Sequence, residues 1–287
     1  MSLQQVSPHV HVETAKLGSN NSIIVGADGL ALVDTPHRPT DAIAWRQVAD
    51  GFGRTRFVVN TDHHPDHTIG NFWMGGEVVA HRGTRETLLR DAPTHDYLER
   101  LFGRIDPDAV ALLDEYHVRV PEVVFNDQLD LHLGDLHLEL TYQPGHTPNS
   151  LIAYCPEDGV VFTGDIVCEA GLPSFQDSRI WNWFDAIEKV ASYDFDVLVP
   201  GHGEVADRAV LERYRNWGKE VVGHVADAIA RGDSRDQACD VIRFPDNIHV
   251  DTDDYVGYPD DLVEMFQRRS IGRIFDDLLE RPELSHR

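Results

Sequence analysis

Arg56-Phe57-Val58-Val59-Asn60-Thr61-Asp62-His63-His64-Pro65-Asp66-His67 places an apolar run directly before a cluster of carboxylates and imidazoles. Arg56 to Asn60 reads as a buried strand, so the cluster falls at a strand end. Imidazole and carboxylate suit zinc and other borderline or hard divalent ions. The segment also has a plainer reading, since Asp and Pro favour a helix N-terminus.

Three further fragments follow at long intervals: Pro144-Gly145-His146-Thr147, Thr163-Gly164-Asp165 and Pro200-Gly201-His202-Gly203. Each follows or closes a strand-like stretch. Either Gly-His fragment alone reads as a turn. Where strand ends converge on one sheet edge, all four fragments can meet as one site.

The flanking sequence supplies the frame. His9 to Glu13 alternates valine with polar residues, and Ser22 to Val25 is followed by the hairpin signal Asp28-Gly29 and the apolar run Leu30 to Val33. Asp28 to Asp34 is echoed by Asp158 to Asp165: a turn, a buried strand and a terminal carboxylate. Residues 40–51 read as a helix, and so does Trp183 to Val190 ahead of the strand Val197-Leu198-Val199. Leu129, Leu131 and Leu133, then Leu136, Leu138 and Leu140, alternate with polar residues, which puts His132 and His137 on solvated strand faces. Residues 82–117 carry helical periodicity at Arg85–Arg90, Tyr97–Arg104 and Ala109–Tyr116, an insertion that reads as a lid, a dimer contact or a packing element. Leu211–Ala230 and Pro259–Leu279 read as amphipathic helices. No linker rich in Gly, Ser or Pro separates them. The expected division is residues 1–205 as the main domain and 206–287 as a helical appendage packed on it.

Composition narrows the partners. A net charge of −24, spread along the chain, opposes binding to a phosphate backbone, so no nucleic acid is expected. No apolar stretch approaches the roughly 20 residues that span a bilayer. The first residues, Met1 to Gln5, lack the basic and apolar parts of a signal peptide, so no membrane and a cytoplasmic location are expected. Cys155, Cys168 and Cys239 form no C-x-x-C pair and need no disulfide.

The four fragments, in this order, resemble the metallo-β-lactamase superfamily, whose signature is His-x-His-x-Asp-His, then Gly-His, Gly-Asp and a final Gly-His. The resemblance runs from about Val10 to Glu204. One departure matters: the family's first histidine is Asp62 here. The resemblance implies an α/β fold, a four-layer αβ/βα sandwich of two similar halves. It implies two divalent metal ions, foremost zinc, with manganese or iron as harder alternatives. Asp62, His64 and His146 would hold the first ion and Asp66, His67 and His202 the second. Asp165 would bridge them, and Asp66 and Asp165 would be the catalytic carboxylates. The family's nucleophile is the hydroxide between the ions. Asp62 adds one negative charge to that set, which lowers Lewis acidity and tilts preference towards harder ions. A further option is that adjacent His63 binds in place of Asp62.

By the same resemblance, the loop after Asp165 borders the metals. It contains Leu172, Phe175, Arg179, Trp181 and Trp183, with Arg179 and Trp181 the expected substrate contacts. The implied activity is hydrolysis of a small carbonyl substrate such as a lactone, thioester, amide or β-lactam-like ring. Alternatives of the same fold are an iron-dependent oxidoreductase and a non-catalytic binding member with a decayed site. A homodimer is also an expectation.

Overall fold

A computed structural model describes residues 3–169, 175, 177–244 and 261–283. Two sheets form its centre. The first runs in spatial order β1 (Gln4–Gln5), β2 (Val10–Glu13), β3 (Asn21–Gly26), β4 (Gly29–Val33), β5 (Thr55–Val59), β6 (Glu77–His81) and β7 (Val123–Phe125). The second contains β8 (Gln128–His132), β9 (His137–Tyr142), β10 (Leu151–Cys155), β11 (Val160–Gly164) and β12 (Val197–Pro200), in spatial order β12-β11-β10-β9-β8.

The period-two side-chain alternation of strands divides each sheet between two cores. Val10, Ile24, Ala31, Val33, Val59 and Val79 face Leu138, Leu140, Ala153, Val160, Phe162 and Val199 between the sheets. Their neighbours in sequence face outward. Leu30, Leu32 and Val58 pack on Trp45 of helix α1 (Pro39–Phe52). Ile152, Val161 and Leu198 belong to one core with α5 (Ile180–Ala191), α6 (Arg208–Arg231), α7 (Arg235–Val241) and α8 (Leu262–Glu280). A leucine or phenylalanine buried this completely contributes about 1.5–3 kcal/mol relative to exposure. The result is four layers, helix–sheet–sheet–helix, as the αβ/βα expectation required.

The sequence echo is structural. β4 pairs antiparallel with β3 and parallel with β5, and β11 pairs antiparallel with β10 and parallel with β12. Left-handed backbone occurs at the end of each copy, at Asp34 with φ 55° and at Gly164, directly before Asp165, with φ 49°. Each copy carries a register shift against its parallel neighbour, at the start of β4 between Leu30 and Ala31 and at the end of β11 between Phe162 and Gly164. Such bulges re-aim the residues that follow them; after β11 that residue is Asp165.

The insertion contains α3 (Arg82–Arg90), α4 (His95–Ile105) and a 3-10 turn at Pro107–Leu112, shorter than the expected helix to Tyr116. Leu98, Leu101, Phe102 and Ile105 bury their apolar faces with Leu17 and Ile69. The helix expected from Pro259 is described from Leu262, because Pro259 lies outside the described residues. Among the described residues, no helix is long and apolar enough to cross a membrane. His132 is exposed, and His137 pairs with Glu157 at 2.7 Å. The three cysteines are free and buried.

Candidate metal centre

The loop after β5 leads into the short helix α2 (Pro65–Thr68), with Pro65 in its first turn. The helix-start reading of this segment therefore holds. Asp62 Oδ1 accepts a hydrogen bond from the His64 backbone N–H at 2.8 Å. That contact fixes the carboxylate and leaves Oδ2 facing the loop's interior, 3.4 Å from His64 Nδ1 and 3.9 Å from His146 Nε2. His64 Nδ1 and His146 Nε2 are 3.1 Å apart. Asp62, His64 and His146 form one group whose ligand atoms converge closely enough to hold an ion.

Asp66, His67, Asp165 and His202 form a second such group. Asp66 Oδ2 lies 3.3 Å from His202 Nε2, and Asp165 Oδ1 lies 3.3 Å from both His67 Nε2 and His202 Nε2. The other Asp165 oxygen, Oδ2, is 3.5 Å from His146 Nε2 in the first group. One carboxylate thus presents an oxygen to each group. His63 joins neither: its Nδ1 is held 2.8 Å from Asn149 Oδ1.

The glycines of the motifs have steric reasons. A Cβ on Gly164 would strike Thr61, and one on Gly201 would strike the Asp165 carboxylate. Only bare backbone lets β11 and β12 bring their ends this close to the β5 loop. Asn20 fastens the same region, donating from Nδ2 to the carbonyls of Pro200 and Gly203 at 3.0 and 2.8 Å.

The electrostatics are those of a cation site. Asp62 Oδ2, His67 Nε2 and Asp165 Oδ1 are buried with no hydrogen-bond partner in the protein. Unsatisfied buried polar atoms are costly, and an ion in each of the two groups would satisfy all three. Burial alone would push the Asp62 and Asp165 carboxyls up, but the surrounding imidazoles outweigh it and hold both well below the usual range. Burial likewise opposes charge on His64, His67 and His202, yet the carboxylates around them raise all three well above the ordinary histidine value.

Residues outside the motifs complete the centre. Asp34 Oδ2 lies 2.8 Å from His67 Nδ1 and accepts from Thr61 Oγ1 at 2.6 Å, while its Oδ1 accepts from the Thr61 backbone N–H. A carboxylate on Nδ1 directs the proton there and frees Nε2 for an ion. The sequence echo located Asp34 at a strand end but not this role. Burial pushes the His37 imidazole down to about 4, and its Nε2 is also without a partner. Asp177 reaches His64 Nε2 from a distant loop, a contact with no local sequence signal. A cavity of about 430 Å³ opens beside the first group, lined among others by His63, Glu86, Arg90, Asn149 and Asp177.

The expected substrate wall is different in the structure. Trp183 and Phe175 are 1 % exposed and belong to the helical core, with Trp183 Nε1 donating to the Ile166 carbonyl at 3.1 Å. Trp183 packs against bare backbone at Gly218 of α6. Arg179, expected to meet substrate, commits its guanidinium to Asp277 and Glu280 of α8, at 2.9 and 2.7 Å. The guanidinium groups of Arg179 and Arg281 lie 5.0 and 4.4 Å from the centroid of the Trp181 ring. Leu172 lies outside the described residues.

Comparison with known proteins agrees with this geometry. The family model described as Metallo-beta-lactamase superfamily matches residues 15–202. A linear primary-alkylsulfatase of a Pseudomonas species is 22 % identical over 268 residues, covering 79 % of this chain. The chain spans only half, 50 %, of that protein's length. A probable metallo-hydrolase of Methanocaldococcus jannaschii is 25 % identical over 66 % of this chain and 90 % of its own. Among solved structures, a metallo-beta-lactamase from Pontibacter korlensis superposes with a TM-score of 0.61 at 19 % identity, covering 76 % of this chain and 98 % of that one. At this identity the likeness concerns the fold.

Proposed function

This chain belongs to the Metallo-beta-lactamase superfamily, and from that premise we propose that it is a hydrolase of small substrates that works with two divalent ions, foremost zinc. The carrying observation is the pair of ligand groups sharing Asp165, with unpartnered buried atoms at their centre. The imidazole-rich donor set fits zinc, and the three carboxylates keep manganese and iron within range.

Bound ions would supply Lewis acidity and would lower the pKa of a coordinated water from about 15.7 towards 7. Asp62, His64 and His146 would hold the first, and Asp66, His67 and His202 the second. Asp165 would hold both at a fixed separation. Asp34 keeps His67 in the tautomer with Nε2 available. Asp66 would serve as the carboxylate that takes up a proton beside the reacting bond. The adjoining cavity sets the carboxylates of Glu86, Asp91 and Asp177 around Arg90, itself paired with Asp91 at 2.7 Å. That lining favours a polar rather than a long apolar substituent.

The reaction class is hydrolysis of a lactone, thioester, amide or β-lactam-like carbonyl. The sulfate ester named by the alkylsulfatase relative belongs in the same panel. The test is to strip the protein with chelator, restore zinc, manganese or iron in turn, and assay this panel. Hydrolysis that appears only with metal supports the reading. Absence of hydrolysis by any metal-restored form across the panel contradicts it.

A further inference from the structure

His64 is gripped at both ring nitrogens. Nδ1 faces the first ligand group, and Nε2 faces Asp177 Oδ2 at 3.3 Å. Asp177 lies on the segment that leads into α5, and α8 fastens that segment on either side of it. The Phe175 backbone N–H donates to Ser270 Oγ at 3.1 Å, and Arg273 Nε donates to the Ser178 carbonyl at 2.8 Å. Asp277 accepts from the Ile180 backbone N–H at 2.8 Å and from Arg179 Nη1 at 2.9 Å. Ser270 and Asp277 are both fully buried. The Ser178 hydroxyl also donates to the carbonyl of Gly145, next to His146.

We infer that Asp177 is a positioning residue for His64, and that α8 holds it in place, so that the C-terminal helix governs metal affinity in the first group. This rests on the proposed reading of that group as a metal site. A carboxylate on Nε2 keeps the proton there and leaves the Nδ1 lone pair for an ion, and it fixes the ring plane. Loss of such an outer carboxylate typically costs about 10–100-fold in metal affinity. As an ion pair alone the contact would matter little, because Asp177 is half exposed and such pairs contribute little to stability. Position and stability are therefore separable.

The experiment is zinc competition against a chromophoric chelator on the full chain, with Asp62→Ala identifying the binding step that belongs to the first group. Asp177→Asn should weaken that step about 10–100-fold, leave the other step unchanged, and leave the thermal midpoint unchanged. Arg273→Met, which releases the Ser178 carbonyl, should weaken the same step by less. An unaltered first step in Asp177→Asn, or equal weakening of both steps, overturns the inference. If wild type takes up one equivalent only, the two-ion reading fails. The positioning role is then decided by whether that single step is weaker in Asp177→Asn.

Discussion

Asp34 Oδ2 sits 2.8 Å from His67 Nδ1, with both side chains buried, and the same carboxylate holds Thr61 through its hydroxyl and its backbone N–H. The end of β4 thus orients His67, a proposed ligand on the segment after β5. Asp34→Ala should leave the Thr61 donors and His67 Nδ1 unsatisfied, at a cost of about 1–3 kcal/mol in stability. It should also weaken metal binding in the second group by about 10–100-fold. Chemical denaturation and zinc competition measure the two effects. Wild-type zinc affinity in a folded Asp34→Ala protein would show that Asp34 supports the fold alone.

Asp62 is where the proposed ligand set leaves the family pattern. Asp62→Ala should deplete the first group and leave the second loaded, read as metal per chain by elemental analysis. Asp62→His should favour zinc over manganese relative to wild type, since imidazole is the softer donor. By removing one negative charge it should also shift the rising limb of the pH–rate profile to lower pH. Full metal content and an unchanged profile in Asp62→Ala would exclude Asp62 as a ligand.

Arg179 pairs with Asp277 and Glu280 of α8, which points to an anchoring role. Arg179→Ala removes one of the hydrogen-bond donors to buried Asp277 and should therefore reduce stability by about 1–3 kcal/mol. Turnover of anionic and neutral substrates should change alike. A selective loss with anionic substrates, at unchanged stability, would restore the charge-clamp role.

Metal uptake should release protons. His64, His67 and His202 have pKa values raised well above the ordinary 6.5, so protonated imidazole competes with the ion at neutral pH. Ligation takes the deprotonated ring. Affinity should accordingly rise with pH from 6.5 upward and fall off below it. Titration calorimetry in buffers of differing ionisation enthalpy counts the protons. A pH-independent affinity and zero proton release would contradict the charge arrangement of the metal-free centre.

The layers and the residues that converge in the two groups were legible because their signals are local. Period-two alternation marked strands such as Leu136 to Leu140, and each motif follows or closes a strand whose end lies at the site. The steric need for Gly164 and Gly201 also shows locally, as a glycine directly before a ligand in each motif. The role of Arg179 was not legible, because its partners Asp277 and Glu280 are about a hundred residues away and meet it only after α8 packs. Trp183 illustrates the same limit. Its sequence position fits a pocket wall equally well, and only the bare face of α6 at Gly218 draws it into the core. Asp177 has no motif, and its contact with His64 joins positions 113 residues apart.

The most direct test of the central claim is a crystal structure of the zinc-loaded protein with anomalous scattering recorded across the metal edge. Two peaks are expected. One lies among Asp62 Oδ2, His64 Nδ1 and His146 Nε2, the other among Asp66, His67 and His202, with one Asp165 oxygen on each. A single peak at full zinc saturation, or two peaks with Asp165 bound to only one of them, would contradict the shared two-ion centre.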